Sequence, residues 1–194
     1  LLISNFADLR ESLAGIELEI FSSHLHISHT ARETEIQLRS CLPESETLIV
    51  RRLGQMAYAP YASETYVQSR SNGKAQRRFE TWDWIGLAPD RLWYPEQQRW
   101  MEALFTNPST LRVNTMTSAL DAVVAGVGVT LLPCFMADRY EGLVRLGGED
   151  EVMLSQENLI VHRDLLREPA IRRTIDAIAA LYKREAASLL GQAR

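Results

Sequence analysis

The chain has 194 residues, 46% of them hydrophobic and 24% charged, a composition ordinary for a globular protein and long enough for one domain or two small lobes. Its net charge of -4 argues against a nucleic-acid surface, which needs clustered excess cations, and no apolar run approaches the roughly 20 residues of a membrane helix. Cys41 and Cys134 stand far apart without motif spacing, so reduced thiols in a cytoplasmic protein are expected.

Taken in order, Leu2, Phe6, Leu9 and Leu13 share one helical face, which Ala14-Gly15 closes. Asp8, Arg10 and Glu11 inside this pattern argue against a signal peptide. Ile16–Ile20 alternates as a strand does, and the polar segment Ser22–His29 follows its carboxyl end. His24, His26 and His29 are of the right type for a metal. No Cys, His or carboxylate completes a recognisable ligand spacing, so a polar loop or short helix without metal is expected.

Ile36–Arg39 and Thr47–Leu53 read as strands on either side of the turn-rich Pro43-Glu44-Ser45-Glu46. Met56–Pro60 reads as a further extended piece that Pro60, unable to continue a central ladder, should end. Ser69–Arg78 carries Arg70, Lys74, Arg77 and Arg78 but neither interleaved aromatics nor a periodic basic face, and reads as a solvated loop. Trp82–Leu87 predicts a strand entering a tight bend, with its tryptophans in the core. Pro95–Phe105 predicts a helix with Trp100, Met101, Leu104 and Phe105 inward, and Leu111–Asn114 another strand.

Thr117–Pro133 is the most informative stretch. Leu120, Val123, Val124 and Val127 have helical spacing, and Thr117 or Ser118 can cap the helix. Gly126 suits the left-handed helix end, Gly128 relieves the backbone where the chain turns back, and Val127–Leu132 is a short buried strand that Pro133 stops. A phosphate cradle runs strand, glycine turn, helix. Here the glycines follow a helix and precede a strand, so Gly-x-Gly is a connection and not a nucleotide site. The middle of the chain alternates strand and helix, the pattern of a parallel sheet.

Asn158–Val161 reads as a returning strand, and from Pro169 the residues Ile171, Ile175, Ile178 and Tyr182 keep a helical stripe. Between them His162-Arg163-Asp164-Leu165 imitates a kinase catalytic loop. Pro169 stands where that motif needs Asn, and neither a Gly-rich phosphate loop nor Asp-Phe-Gly occurs. Gly-x-Ser-x-Gly, a Walker loop, His-Glu-x-x-His and paired Cys-x-x-Cys are missing too, so no catalytic residue and no cofactor is expected.

Thr117–Pro133, with Asn114 before it and Gly142-Leu143-Val144-Arg145-Leu146 after it, resembles the effector-binding domain of LysR-type transcriptional regulators. Leu1–Ile20 is similar to that family's first helix and second strand, and Arg32–Arg39 to its acidic strand start. Val161-His162-Arg163-Asp164 followed by Pro169 is similar to its closing strand and helix. The resemblance implies an α/β protein with a two-lobed, type II periplasmic-binding-protein-like fold, two Rossmann-like subdomains joined by two crossover segments. Residues 1–59 with 158–194 would form lobe I and residues 60–157 lobe II. A strand before the first helix, and a helix-turn-helix DNA-binding domain before that strand, are expected from the family and lie outside this chain.

By the same resemblance the chain is the ligand-sensing domain of a bacterial, cytoplasmic regulator. Such a regulator is a homodimer, touches DNA only through the missing domain, and binds a small effector such as an organic acid in the interlobe cleft. Carried onto the strand ends that face the cleft, the candidate effector-binding residues are Ser22 and Ser23 from lobe I. Gly86, Leu87, Asn114, Thr115 and Met116 are the candidates from lobe II. Ser22 and Ser23 also read as caps of the next turn. The helix starting near Thr117 aims its amides the same way, which favours an anionic group. A periplasmic-type solute-binding protein of a transporter, which needs a secretory signal and normally a longer chain, would share the fold and is the alternative. Family pairing sets the first-lobe helix of one subunit beside the second-lobe helix of the other. The apolar excess expected on these helices is Ile3 on one and Ala119, Ala122 and Val123 on the other.

Overall fold

The structure, a computed structural model, describes residues 1–22, 34–40, 42, 47–71, 80–88, 95–148 and 151–192. The chain divides into two units. Of the described residues, 1–56 and 155–192 form unit 1, and 57–154 form unit 2.

Unit 1 is built on the stripe that begins at Pro169. It forms α6 (Pro169–Arg184), with proline in the first turn, where a missing N–H is tolerated, and Lys183 and Arg184 in the last turn, at the negative end of the helix. The first helix, α1 (Phe6–Ser12), is reached through a 3-10 turn at Ile3–Asn5 and packs on α6. Leu9, Leu13 and Leu181 make a buried cluster with Leu1, Leu2, Ile16 and Leu18 around it. Phe6, expected on this face, is 38% exposed; the 3-10 turn before it advances three residues per turn rather than 3.6 and shifts the phase of the stripe. Ile16–Ile20, expected as a strand, forms no ladder among the described residues. Its alternation selects which side chains turn toward the leucines, but a strand also needs a neighbour for its backbone.

The sheet of unit 1 contains β1 (Ile36–Arg39), the first part of β2 (Leu48–Ser63) and β7 (Met153–His162), with β7 in the middle. β1 runs antiparallel to β7, Leu38 opposite Leu159 and Arg39 opposite Asn158. After β7, the residues that imitate a kinase loop form a 3-10 turn, Arg163–Arg167, capped by His162, whose Nδ1 accepts the Asp164 N–H at 3.3 Å. A short α7 (Ala186–Leu189) ends the unit.

In unit 2 the predicted stop at Pro60 is absent: β2 is one strand of 16 residues, and Pro60 is buried inside it opposite Leu131 of β5 (Thr130–Pro133). In an antiparallel strand the N–H and C=O of a residue face the same neighbour. The Pro60 carbonyl accepts the Leu146 N–H at 2.8 Å, beside β6 (Leu143–Arg145), whose ladder with β2 begins only at Tyr61. No strand therefore asks for the missing N–H. Met56–Ser63 is buried at every position, as in a strand covered on both faces.

Ser69 and Arg70, expected in a loop, belong to α2 (Glu64–Ser71). Tyr66 is its buried residue, so the helix has no apolar stripe for a sequence pattern to detect. Lys74, Arg77 and Arg78 lie outside the described residues. The alternation that follows is β3 (Ile85–Leu87), α3 (Pro95–Leu104), β4 (Leu111–Val113), α4 (Met116–Val124) and β5. β3 and β4 pair in parallel, and Trp84 bridges in parallel to Val129, but β5 and β6 pair antiparallel with β2. The expected parallel sheet is thus reduced to the β3–β4 pair, joined by the Trp84–Val129 bridge to an antiparallel sheet, because the long β2 supplies β5 with an antiparallel partner. Trp82 and Trp84 are core, and Trp84 stacks on Phe105 at 5.3 Å.

α4 starts one residue earlier than expected and is capped by Thr115, whose hydroxyl accepts the Ser118 N–H, rather than by Thr117 or Ser118. Ala119, Ala122 and Val123, expected as a surface excess, are core of unit 2, while Val124, expected on the inner face, is 50% exposed. The helix packs on β3, β4 and β5, and small side chains let those strands approach. Gly126, at φ 74°, ends the helix as expected. Gly128 is required for another reason than a turn: a Cβ there would lie 2.4 Å from the Asp83 carbonyl oxygen. α5 (Cys134–Ala137) follows with Cys134 buried, while Cys41 is outside the described residues. Among the described residues no helix is long and apolar enough to cross a membrane.

Candidate functional site

The carboxyl ends of β3 and β4 and the start of α4 lie together in unit 2. Pairing of Leu87 with Val113 aligns the two strand ends, and Asn114 and Thr115 then lead directly into α4. Gly86 is held close by its surroundings: a Cβ would stand 3.1 Å from the Ser109 Cβ and 3.1 Å from the Trp84 ring. Leu87 donates its N–H to Gln98 Oε1 at 2.8 Å and accepts from Arg112 Nη1 at 3.2 Å. Gln98, buried in α3, gives its amide hydrogen to Glu102 Oε1 at 2.6 Å. The strand end is therefore pinned from both sides and does not need a ligand to order it.

The residues expected here have different capacities. Thr115 is committed, since its hydroxyl accepts the Ser118 N–H at 3.0 Å and donates to Ser118 Oγ at 2.9 Å. Met116 is buried, and Gly86 and Leu87 offer backbone only. Asn114 is exposed, and its side chain makes no hydrogen bond with the described residues. Beside it the N–H groups of Met116 and Thr117 have no intrahelical acceptor, as at the start of any α-helix. Among the described residues the shelf thus presents an unpaired carboxamide and two amide donors. Ser22 is exposed and belongs to unit 1, and Ser23 lies outside the described residues, as do His24, His26 and His29.

Gln98 and Arg112 hold the strand end and were not singled out by sequence reasoning. Gln98 sits on a face also occupied by apolar residues, and a spacing argument discards such a polar position. Asp83 was missed in the same way. Its carboxylate accepts from the Tyr66 hydroxyl at 3.0 Å and from Thr110 at 3.3 Å and pairs with Arg70, while its carbonyl accepts the Val129 N–H at 2.9 Å.

Unit 1 contains a different kind of buried polar group. Glu157, 7% exposed, receives the Ser40 hydroxyl at 2.8 Å, and burial pushes its carboxyl above the ordinary 4.5 although that hydrogen bond works the other way. Burial, with the Glu157 charge adding to it, also pushes up the Tyr182 phenol. Asn158, on the next strand position and so on the opposite face, donates to the Arg39 carbonyl at 3.3 Å, but its Oδ1 is buried without a partner.

A family model described as LysR substrate binding domain matches residues 1–183. A comparison with curated proteins gives no significant match. Among solved structures, the regulatory domain of CrgA, a LysR-type transcriptional regulator from Neisseria meningitidis, is 16% identical with a TM-score of 0.75, over 94% of this chain and 92% of that one. The regulatory domain of AphB from Vibrio vulnificus is 15% identical with a TM-score of 0.66, over 93% and 92%. Full-length AphB of Vibrio cholerae, a virulence activator, is 16% identical with a TM-score of 0.68, over 94% of this chain and 64% of that one. At such identities the structural likeness is one of fold, the mixed α/β, type II periplasmic-binding-protein-like fold.

Proposed function

Because this chain belongs to the family of LysR substrate-binding domains, we propose that the shelf of Leu87, Asn114 and the first turn of α4 holds a small organic anion as its effector. The domain itself is an effector-binding regulatory domain of a LysR-type regulator, a non-enzymatic sensor. The observation that supports the shelf is the Asn114 carboxamide, unpaired among the described residues, beside amide donors at the positive end of a helix, an arrangement suited to a carboxylate. A transporter's solute-binding protein shares the fold, and the family match favours the regulator.

Calorimetry with a panel of small organic acids tests this reading. A binder is expected to lose affinity about tenfold in Asn114→Ala, the loss of one hydrogen bond to a charged group. Thr115→Ala is a poorer probe, since it removes the cap of α4. An affinity unchanged in Asn114→Ala would place the site elsewhere.

The regulator is further proposed to be cytoplasmic and homodimeric, with DNA contacted only by a helix-turn-helix domain beyond this chain. Ile3, 77% exposed, in the 3-10 turn, Phe6 at the start of α1, and Val124 on α4 are outward apolar residues available for pairing. Sedimentation velocity should show a dimer that Val124→Glu weakens, because a charge is costly to bury without a partner. A monomeric wild type removes the dimer, and an unaffected variant removes α4 from its surface.

A further inference from the structure

We propose that unit 1 carries a second small-ligand site, for a monocarboxylate with a compact apolar body, in the cavity bounded by β2, β7, α6 and the Arg163–Arg167 turn. This site is separate from the shelf of unit 2 and does not depend on it.

The cavity has a volume of about 240 Å³. Its walls are Ile49 of β2, Leu159 and Val161 of β7, Ile175 of α6 and Leu166 of the turn, none of which offers a side-chain hydrogen-bond partner to water. At roughly 30 Å³ per water such a space equals about eight waters, so it takes a body of about six to eight carbons. Water there is poorly bound, and an apolar group displaces it with gain.

The rim selects the head group. It consists of Arg51, Arg172 and Asp176, a net charge of one positive on a chain whose total is -4. Arg51 reaches Asp176 at 2.8 Å, but their side chains are 47% and 74% exposed, and such a pair contributes little and exchanges easily. Arg172, one helical turn before Asp176, has no carboxylate partner among the described residues. Two guanidinium forks at the mouth of an apolar cavity fit one carboxylate, which can accept from either or both. A second carboxylate on the ligand would fall on the apolar walls, where it is costly, and a cationic ligand would meet two like charges. The chemistry therefore points to a monoanion with a hydrocarbon or aromatic body.

The test is an amide-resolved NMR titration of the 194-residue chain with octanoate, benzoate and octan-1-ol. Octanoate or benzoate is expected to shift the Ile49, Leu159, Val161 and Ile175 amides saturably, with a Kd on the order of 1 mM for so small a ligand. The tighter of the two acids shows whether the body is aliphatic or aromatic. Arg172→Gln and Arg51→Gln, both surface changes, should each weaken binding about threefold to tenfold without changing the far-UV spectrum. Octan-1-ol should bind more weakly than octanoate by at least about threefold, since it lacks the charge the arginines recognise. The proposal is overturned by absence of saturable shifts, by shifts confined to Asn114 and its neighbours, by octan-1-ol binding as tightly as octanoate, or by unchanged affinity in Arg172→Gln.

Discussion

Unit 2 and unit 1 treat polar groups that folding removes from water, wholly or in part, differently. Asp83 of unit 2 collects two hydroxyls and a guanidinium, and the buried Thr130 hydroxyl donates to the Ile85 carbonyl at 2.7 Å. Glu157 of unit 1 has the Ser40 hydroxyl, and Asn158 leaves an oxygen unpaired. Burial of a polar group stabilises only when the new environment replaces the hydrogen bonds lost with water. The strand ends that form the candidate shelf are therefore supported by a nearly saturated network, whereas the centre of the unit 1 sheet retains polar groups that fold at a cost.

The most severe way to break this contrast is to separate Asp83 from the chain it holds. Gly128→Ala places a methyl against the Asp83 carbonyl, where it would stand 2.4 Å from oxygen, and the two segments are tied by the Val129 N–H to Asp83 carbonyl bond at 2.9 Å. It should destabilise the protein by about 3 kcal/mol or more in urea denaturation. A loss below about 1 kcal/mol would mean that the Asp83 loop yields easily and is no rigid support.

Glu157 tests the opposite side. Its folded-state pKa is raised above 4.5, so the folded protein holds the proton more tightly than the unfolded chain. The stability due to this group is fully present below its unfolded value and is lost as pH rises through the raised folded value. Glu157→Gln should remove that pH dependence and stabilise the protein by about 1 kcal/mol at pH 7, because a neutral amide replaces a buried charge. Parallel denaturation curves at pH 4 and pH 7 measure both effects; a variant less stable than wild type at pH 7 would show that the carboxylate has a partner it depends on.

The smallest expected difference compares one paired and one unpaired group. Thr130→Val keeps the shape and loses the bond to Ile85, which should cost about 1 kcal/mol. Asn158→Val gives up a longer bond to Arg39 but also removes the orphan oxygen, and should stay within about 0.5 kcal/mol of wild type. Equal losses at the two sites would erase the distinction between the units.

Much of the fold was legible because it rests on periodicity. The α6 stripe, the alternation from β3 to β5 and the left-handed Gly126 are local patterns, and side-chain spacing specifies them before any contact forms. The ordered set of these pieces was enough to indicate the LysR family. Errors appear where a partner elsewhere in the chain decides the outcome. Pro60 continues β2 because β6 leaves its missing N–H unasked, and Ile16–Ile20 lacks a ladder because alternation does not supply a neighbour. α2 escaped notice because one buried tyrosine leaves no stripe.

The candidate shelf shows the same division. Composition and order of residues determined that Asn114 and Thr115 stand between a strand and a helix with free amides. Only the tertiary structure decided that Thr115 spends its hydroxyl on the cap while the Asn114 carboxamide bonds to none of the described residues, and that Gln98 and Arg112 hold Leu87 in place. It also turned Ala119 and Ala122 inward and left Val124 outside, because three strands rather than one cover α4. Side-chain spacing is carried by the local chain, but the hydrogen-bond partner and the covering surface come from residues brought near by folding, and no local pattern contains them.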